Sequence, residues 1–159
     1  MAHEYRAEVR WMRGGAAFLD NRYSRGHVWA FDGGVEVPAS SSTAVVPLPL
    51  SVAEAVDPEE AFVASLASCH MLFFLNFAAK SGFLVESYED AAVGFMTRNE
   101  QGKLFISKVL LNPSVVFGGS RRPTDQDVEK LHHDSHAECF IANSVKSEVA
   151  LGSPGFSFT

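Results

Sequence analysis

Cysteine is scarce in this chain: Cys69 and Cys139 are the only two among 159 residues. Two thiols in this length exclude the disulfide-stapled scaffold of small secreted domains. No Gly-rich phosphate loop follows a strand and no CxxCH is present, so nothing points to a nucleotide, flavin or haem cofactor. Basic residues are outnumbered, 13 Lys and Arg against 19 Asp and Glu, for a net charge of −6. That surface repels a phosphate backbone, and no nucleic-acid partner is expected. The opening MAHEYRAEVRW carries charges where an export signal needs an apolar core, which predicts a cytoplasmic protein with reduced thiols. There is no internal repeat and no long linker. With 47% hydrophobic and 20% charged residues, the composition is that of a folded globular chain, expected to form a single domain over residues 1–159.

One apolar run, Ala61 to Ala79, approaches membrane-spanning length. Ser65, Ser68, His70 and Asn76 interrupt it and two glutamates precede it. It is read as a core helix, with no membrane partner. Its start is strong: Asp57 is placed to cap, Pro58 suits the first helical position, and Glu60 completes a capping box. Gly82 supplies a stop after Lys80. Because the segment is apolar nearly all round, other elements should wrap it.

Around that helix the pattern is mostly strand. Tyr5, Ala7, Val9 and Trp11 alternate with charged residues, the period of a half-buried strand. Residues 27–31 (HVWAF) and 35–37 (VEV) flank Asp32-Gly33-Gly34 as a hairpin. Residues 38–50 form a loop. Val93–Met96 and Lys103–Leu111 read as strands joined at 99–102, with Val115–Phe117 continuing after Pro113. Thr124 and Asp127 open a second helix that runs through Cys139 to about Ser144, and a strand at Ser147–Leu151 follows. Strands, long helix, strands, helix, strand is a segregated α+β order.

The residue types that carry chemistry are few. Free cysteines are commonly buried and inert, so two core thiols are one reading. A peroxidatic and resolving pair is the sharper one: one thiolate attacks an O–O bond and the resulting sulfenic acid condenses with the other thiol. A thiolate in an apolar helix needs a nearby cation. His70 points elsewhere as the immediate neighbour of Cys69, whereas the NRYSRGH loop offers Arg22 and Arg25. A rival reading lies on the second helix. His132, His136 and Cys139 fall at i, i+4 and i+7 on one face, a spacing able to ligate zinc or another transition metal, with His133 facing away.

Three stretches, DPEEAFVASLASCHMLFFL, SYEDAAVGFM and LHHDSHAECFIANSV, resemble the OsmC/Ohr family of bacterial hydroperoxide reductases. The specific parts are the Pro-Glu-Glu start, the helical cysteine ten residues after the first glutamate, and the second cysteine seventy residues later. The resemblance implies antiparallel sheets wrapped around long central helices in an intertwined homodimer. It implies thiol-dependent reduction of organic hydroperoxides to alcohols in oxidative-stress defence, with no bound cofactor. Cys69 would be peroxidatic, Cys139 resolving, and Glu59 would hold the active-site arginine, assigned to Arg25 with Arg22 as the alternative. A dithiol such as a lipoylated protein would reopen the disulfide. Phe140 stands where many relatives have proline after the second cysteine. Absence of peroxidase activity, with metal or a small ligand bound instead, is the alternative for this chain.

Two further expectations follow. Ten residues of straight helix separate Glu59 from Cys69 by about 15 Å, so either the helix breaks between them or Glu59 serves the Cys69 of a partner chain, and the partner chain is the favoured expectation. Phe62, Leu66, Phe73 and Phe74 should make the site apolar and favour alkyl over hydrogen peroxide.

Overall fold

The computed structural model describes residues 2–159, which divide into two compact units, 2–61 and 62–159. In the first unit, β1 (Ala7–Arg10), β2 (His27–Phe31) and β3 (Glu36–Ala39) form an antiparallel sheet in that order. Val9 lies opposite Trp29, which lies opposite Val37. The expected Asp-Gly-Gly hairpin is present, with Gly34 at φ +85° closing the turn. Pro38 falls within β3, an edge strand where a missing N–H is tolerated. The loop after β3 is tied down by the Ser40 hydroxyl, which accepts from the Val52 N–H at 3.0 Å, and by a bridge between Ala39 and Val56. β1 departs from expectation. It is shorter than the alternating run, and all four residues are exposed, Val9 at 65%. The alternation specifies a face to be buried, but one chain supplies no cover for it.

Helix α1 runs unbroken from Pro58 to Lys80. Both halves of the predicted capping box form: the Asp57 carboxylate accepts from the Glu60 N–H at 2.7 Å, and Glu60 accepts from the Asp57 N–H at 3.2 Å. At the other end, Gly82 at φ +75° lets its own N–H reach Ala79 O while the Phe83 N–H reaches Ala78 O, so the last carbonyls are satisfied. The helix buries one stripe, Leu66, His70, Phe74 and Ala78, at a spacing of four. The expected all-round wrapping is therefore not met within a single chain; Leu72 is 60% exposed. By length and composition α1 would also suffice to cross a membrane. Its buried stripe, however, includes a histidine hydrogen-bonded to the second helix, a contact suited to a core helix.

The second unit adds β4 (Leu84–Asp90), β5 (Val93–Arg98), β6 (Leu104–Leu111), β7 (Pro113–Gly118), α2 (Asp125–Glu138), β8 (Glu148–Leu151) and β9 (Gly155–Phe158). These strands make two three-stranded sheets, β4-β7-β9 and β5-β6-β8. The α+β architecture is as expected, but the sheets are not purely antiparallel: β8 joins β6, and β9 joins β7, in parallel. Those strands return after α2, and a helical crossover is what parallel pairing requires. Between helix and sheet the fit is close at Gly94, where an added Cβ would stand 2.6 Å from Val63 Cγ2.

Two apolar clusters hold this unit. One contains Phe74, Ala78, Phe83, Val115, Phe117, Val128 and Leu131; the other centres on Leu66, Val109 and Leu111. α2 begins where Thr124 and Asp127 predict, with the reciprocal capping box formed. It ends earlier than predicted. Cys139 is the C-cap, in extended conformation at φ −63°, ψ 110°, followed by a 3-10 turn at Ala142–Ser144. The Asn143 amide makes this end favourable by donating to Ala137 O at 2.9 Å and Cys139 O at 3.0 Å, covering carbonyls that a continued helix would have used.

Candidate active site

The two thiols, seventy positions apart in sequence, meet where the middle of α1 passes the end of α2. They lie close enough for the Cys69 thiol to act on Cys139. Cys69 is half-buried, whereas Cys139 is 1% exposed, and both are free thiols. Burial, and then the neighbouring Cys69 thiol, push the Cys139 thiol up to about 11. The Cys139 sulfur also accepts from the Ala142 N–H at 3.4 Å, which keeps it turned toward the 3-10 segment. Phe73, one turn beyond Cys69, meets Phe140, next to Cys139, edge-on at 5.1 Å. Phe140 is 68% exposed. The thiols therefore have an apolar, partly open rim.

Of the four residues expected to line a hydrophobic site, Leu66 and Phe74 are fully buried core and Phe62 packs against the Leu66 cluster. Phe73 alone reaches the rim. Sequence reasoning missed its partner Phe140, which stands out only as the residue in the family's proline position.

Arg25 and Glu59 both lie in the first unit, and no ion pair joins them among the described residues. The Arg25 guanidinium donates to Asn21 O, to Asn21 Oδ1 at 2.9 Å and to Tyr23 O, and lies 3.8 Å over the Tyr23 ring. It is a well-held cation whose fixed geometry comes from carbonyls and an aromatic face. Arg22 is exposed, and its backbone N–H donates to Asp20. Glu59 sits in the first turn of α1, half-buried.

The histidine stripe on α2 is arranged differently from the sequence expectation. Cys139 belongs to the thiol pair, so the anticipated His132, His136 and Cys139 ligand set is not assembled. His132 instead bonds His70 of α1, Nε2 of His70 to Nδ1 of His132 at 3.1 Å, with the rings stacked at 5.4 Å. Both residues are 2% exposed. Desolvation dominates their titration: His70 is held down to about 4, with repulsion from His132 and His136 adding to it, and His132 likewise falls to about 4. Two neutral imidazoles result. His133, read as facing away, lines the same 280 Å³ cavity as His70, His132 and His136. Position 70 carries no sequence signal for this pairing, because its partner is sixty-two residues distant.

Comparison with known proteins identifies the frame around these residues. The OsmC-like protein family profile matches residues 51–152, well over half of the chain. The chain belongs to the OsmC-like family. It is 56% identical to an OsmC-like protein of unknown function from Vibrio cholerae, covering 96% of this chain and 99% of that one with a TM-score of 0.94. Two more distant structures share the OsmC-like fold. An organic hydroperoxide resistance protein from Elizabethkingia anophelis is 14% identical with a TM-score of 0.66, covering 100% of this chain and 99% of that one. One from Legionella pneumophila is 14% identical with a TM-score of 0.65, covering 99% and 98%. Among curated proteins none matches. Within the OsmC-like family this chain thus has a paired-thiol site and, beside it, a buried histidine pair.

Proposed function

We propose that this OsmC-like protein is a cysteine-based peroxidase that reduces organic hydroperoxides to alcohols in defence against oxidative stress. The observation that carries the reading is the juxtaposition of two free thiols of unequal exposure, Cys69 open enough to meet substrate and Cys139 buried beside it. In the first step the Cys69 thiolate attacks the distal peroxide oxygen. The O–O bond breaks, Cys69 becomes a sulfenic acid, and the alkoxide leaves as alcohol on taking a proton. In the second, Cys139 displaces the hydroxyl of the sulfenic acid; its own proton completes the water released, and a Cys69–Cys139 disulfide forms. An external dithiol, such as that of a lipoylated protein, then reduces the disulfide by exchange. A resolving thiol held protonated by burial stays out of the first step and enters only once the sulfenic acid is formed. The Phe73–Phe140 rim supports alkyl or lipid hydroperoxides over hydrogen peroxide, because it solvates a hydrocarbon chain better than a small polar oxidant.

In this reading Arg25 stabilises the thiolate and the charge developing on oxygen, and Glu59 orients it. Glu59 would act on the Cys69 of a second copy, since α1 runs unbroken between the two positions. An intertwined homodimer is further supported by large apolar side chains left open in both units, among them Val9 at 65%, Met12 at 86%, Leu19 at 99% and Leu72 at 60%. A cytoplasmic setting, where dithiol reductants are maintained, fits this chemistry.

The test is mass spectrometry with non-reducing peptide mapping after one equivalent of cumene hydroperoxide. A Cys69–Cys139 crosslink is expected, and Cys69→Ser should lower the rate of peroxide consumption by about 10³-fold or more, as loss of a nucleophile does. If both thiols stay reduced, the peroxidase reading fails.

A further inference from the structure

Four of the six histidines in this chain are at positions 70, 132, 133 and 136, and all four line one cavity of about 280 Å³ in the second unit. Apolar residues, among them Leu111, Val149 and Leu151, and the carboxylate residue Glu129 also line the cavity. Peroxide chemistry at the thiols has no use for this group. His70 and His132 are each 2% exposed and share the 3.1 Å bond between His70 Nε2 and His132 Nδ1, and each leaves its other ring nitrogen, Nδ1 of His70 and Nε2 of His132, without a hydrogen-bond partner. A buried polar atom without a partner carries a desolvation cost that a ligand would offset.

The tautomer of the pair sets which ring nitrogen offers a lone pair, and one of the two arrangements suits a metal ion. When His132 carries its proton on Nδ1 and donates to His70, its Nε2 presents a bare lone pair in a fixed direction. A metal-bound imidazole is normally held in this way, its second nitrogen donating to a neighbouring acceptor that sets tautomer and ring orientation. His136 follows at i+4 and Glu129 precedes at i−3, one face of α2, and two histidines at i and i+4 on a helix are a metal-binding spacing. Imidazole, imidazole and carboxylate are the donor set of borderline divalent ions, zinc above all.

We propose that this cavity binds a divalent transition-metal ion of the zinc class, anchored by His132 and His136 with Glu129 as the third protein ligand. The side chains as they stand form no ready-made cluster of three ligands among the described residues. His132 is the fixed member; His136 and Glu129 are exposed and close on the ion by side-chain rotation, leaving the remaining coordination positions to water.

The test uses tag-free, metal-stripped full-length protein titrated with Co²⁺, followed by visible absorption, and with Zn²⁺ in competition with a chromophoric chelator. One equivalent per chain is expected, with His136→Ala weakening binding by roughly tenfold or more, the scale on which metal sites respond to loss of a supporting group. His136 is exposed, so this variant should fold like the parent; His132→Ala should abolish the Co²⁺ spectrum. Binding must persist in Cys69→Ser and Cys139→Ser. No binding at one equivalent, affinity unchanged in His136→Ala, or binding lost with either cysteine would each overturn the proposal. No peroxide enters the assay, so its outcome is independent of the thiol chemistry.

Discussion

Two pairs of side chains join α1 to α2 and its C-terminal end, and they start from adjacent residues, Cys69 and His70. The thiol pair lies at the end of α2, with Cys69 half-buried and an exposed Phe140 beside Cys139. The histidine pair lies in the middle of α2, with both members 2% exposed and Phe74 packed on His132 at 4.5 Å between ring centroids. A turn of about 100° between neighbouring helix positions is enough to send one side chain to an open rim and the next into the core. One member of the thiol pair is reachable from solvent, and neither member of the histidine pair is.

The contrast is broken most directly by alkylation. Iodoacetamide at pH 8 should modify Cys69 at least about a hundredfold faster than Cys139, because the buried thiol is both inaccessible and held protonated. Mass spectrometry of quenched time points measures the ratio, and equal rates would remove the assignment of roles. Next in size, Phe74→Ala empties a fully buried position that supports His132. It should cost about 3–5 kcal/mol in urea unfolding. Loss below 1 kcal/mol would mean that the histidine side of the interface is not the buried one.

A smaller effect sharpens the comparison through pH. His70 and His132 are depressed from 6.5 to about 4, so the folded state binds fewer protons than the unfolded state between those values. Their contribution is fully present above pH 6.5 and is lost as pH falls toward 4. The thiol pair acts at the opposite end: with Cys139 raised from 9.0 to about 11, its contribution is present below pH 9 and is lost as pH rises toward 11. Urea midpoints of the metal-free, reduced protein should therefore fall from pH 7 to pH 5 and again from pH 9 to pH 11. A profile flat on the acid side would contradict the buried neutral histidines.

Much of the fold was legible from local signals. The Asp57–Glu60 capping box, Pro58 and Gly82 bound α1 to within its observed span, and Thr124 with Asp127 starts α2 where it begins. Such signals act within a few residues, and each satisfies helix-end backbone groups that would otherwise be orphaned. Legibility failed where an outcome depended on distant partners. β4 and β9 were not expected: β4 is held by β7, across more than twenty residues of intervening chain, and β9 by a parallel register on the same strand. The end of α2 at Glu138 rather than Ser144 rests on Asn143 turning back onto Ala137 and Cys139.

What the sequence alone determined is therefore the set of helices, the segregated α+β order, and the two thiols as candidates for a pair, since capping, periodicity and spacing are properties of contiguous chain. Which cysteine is buried, that Cys139 leaves the histidine stripe to face Cys69, and that His70 meets His132 were decided only when the two helices packed. Burial and hydrogen-bond partnership are properties of the assembled interior, and they set both the accessibility and the protonation of each group.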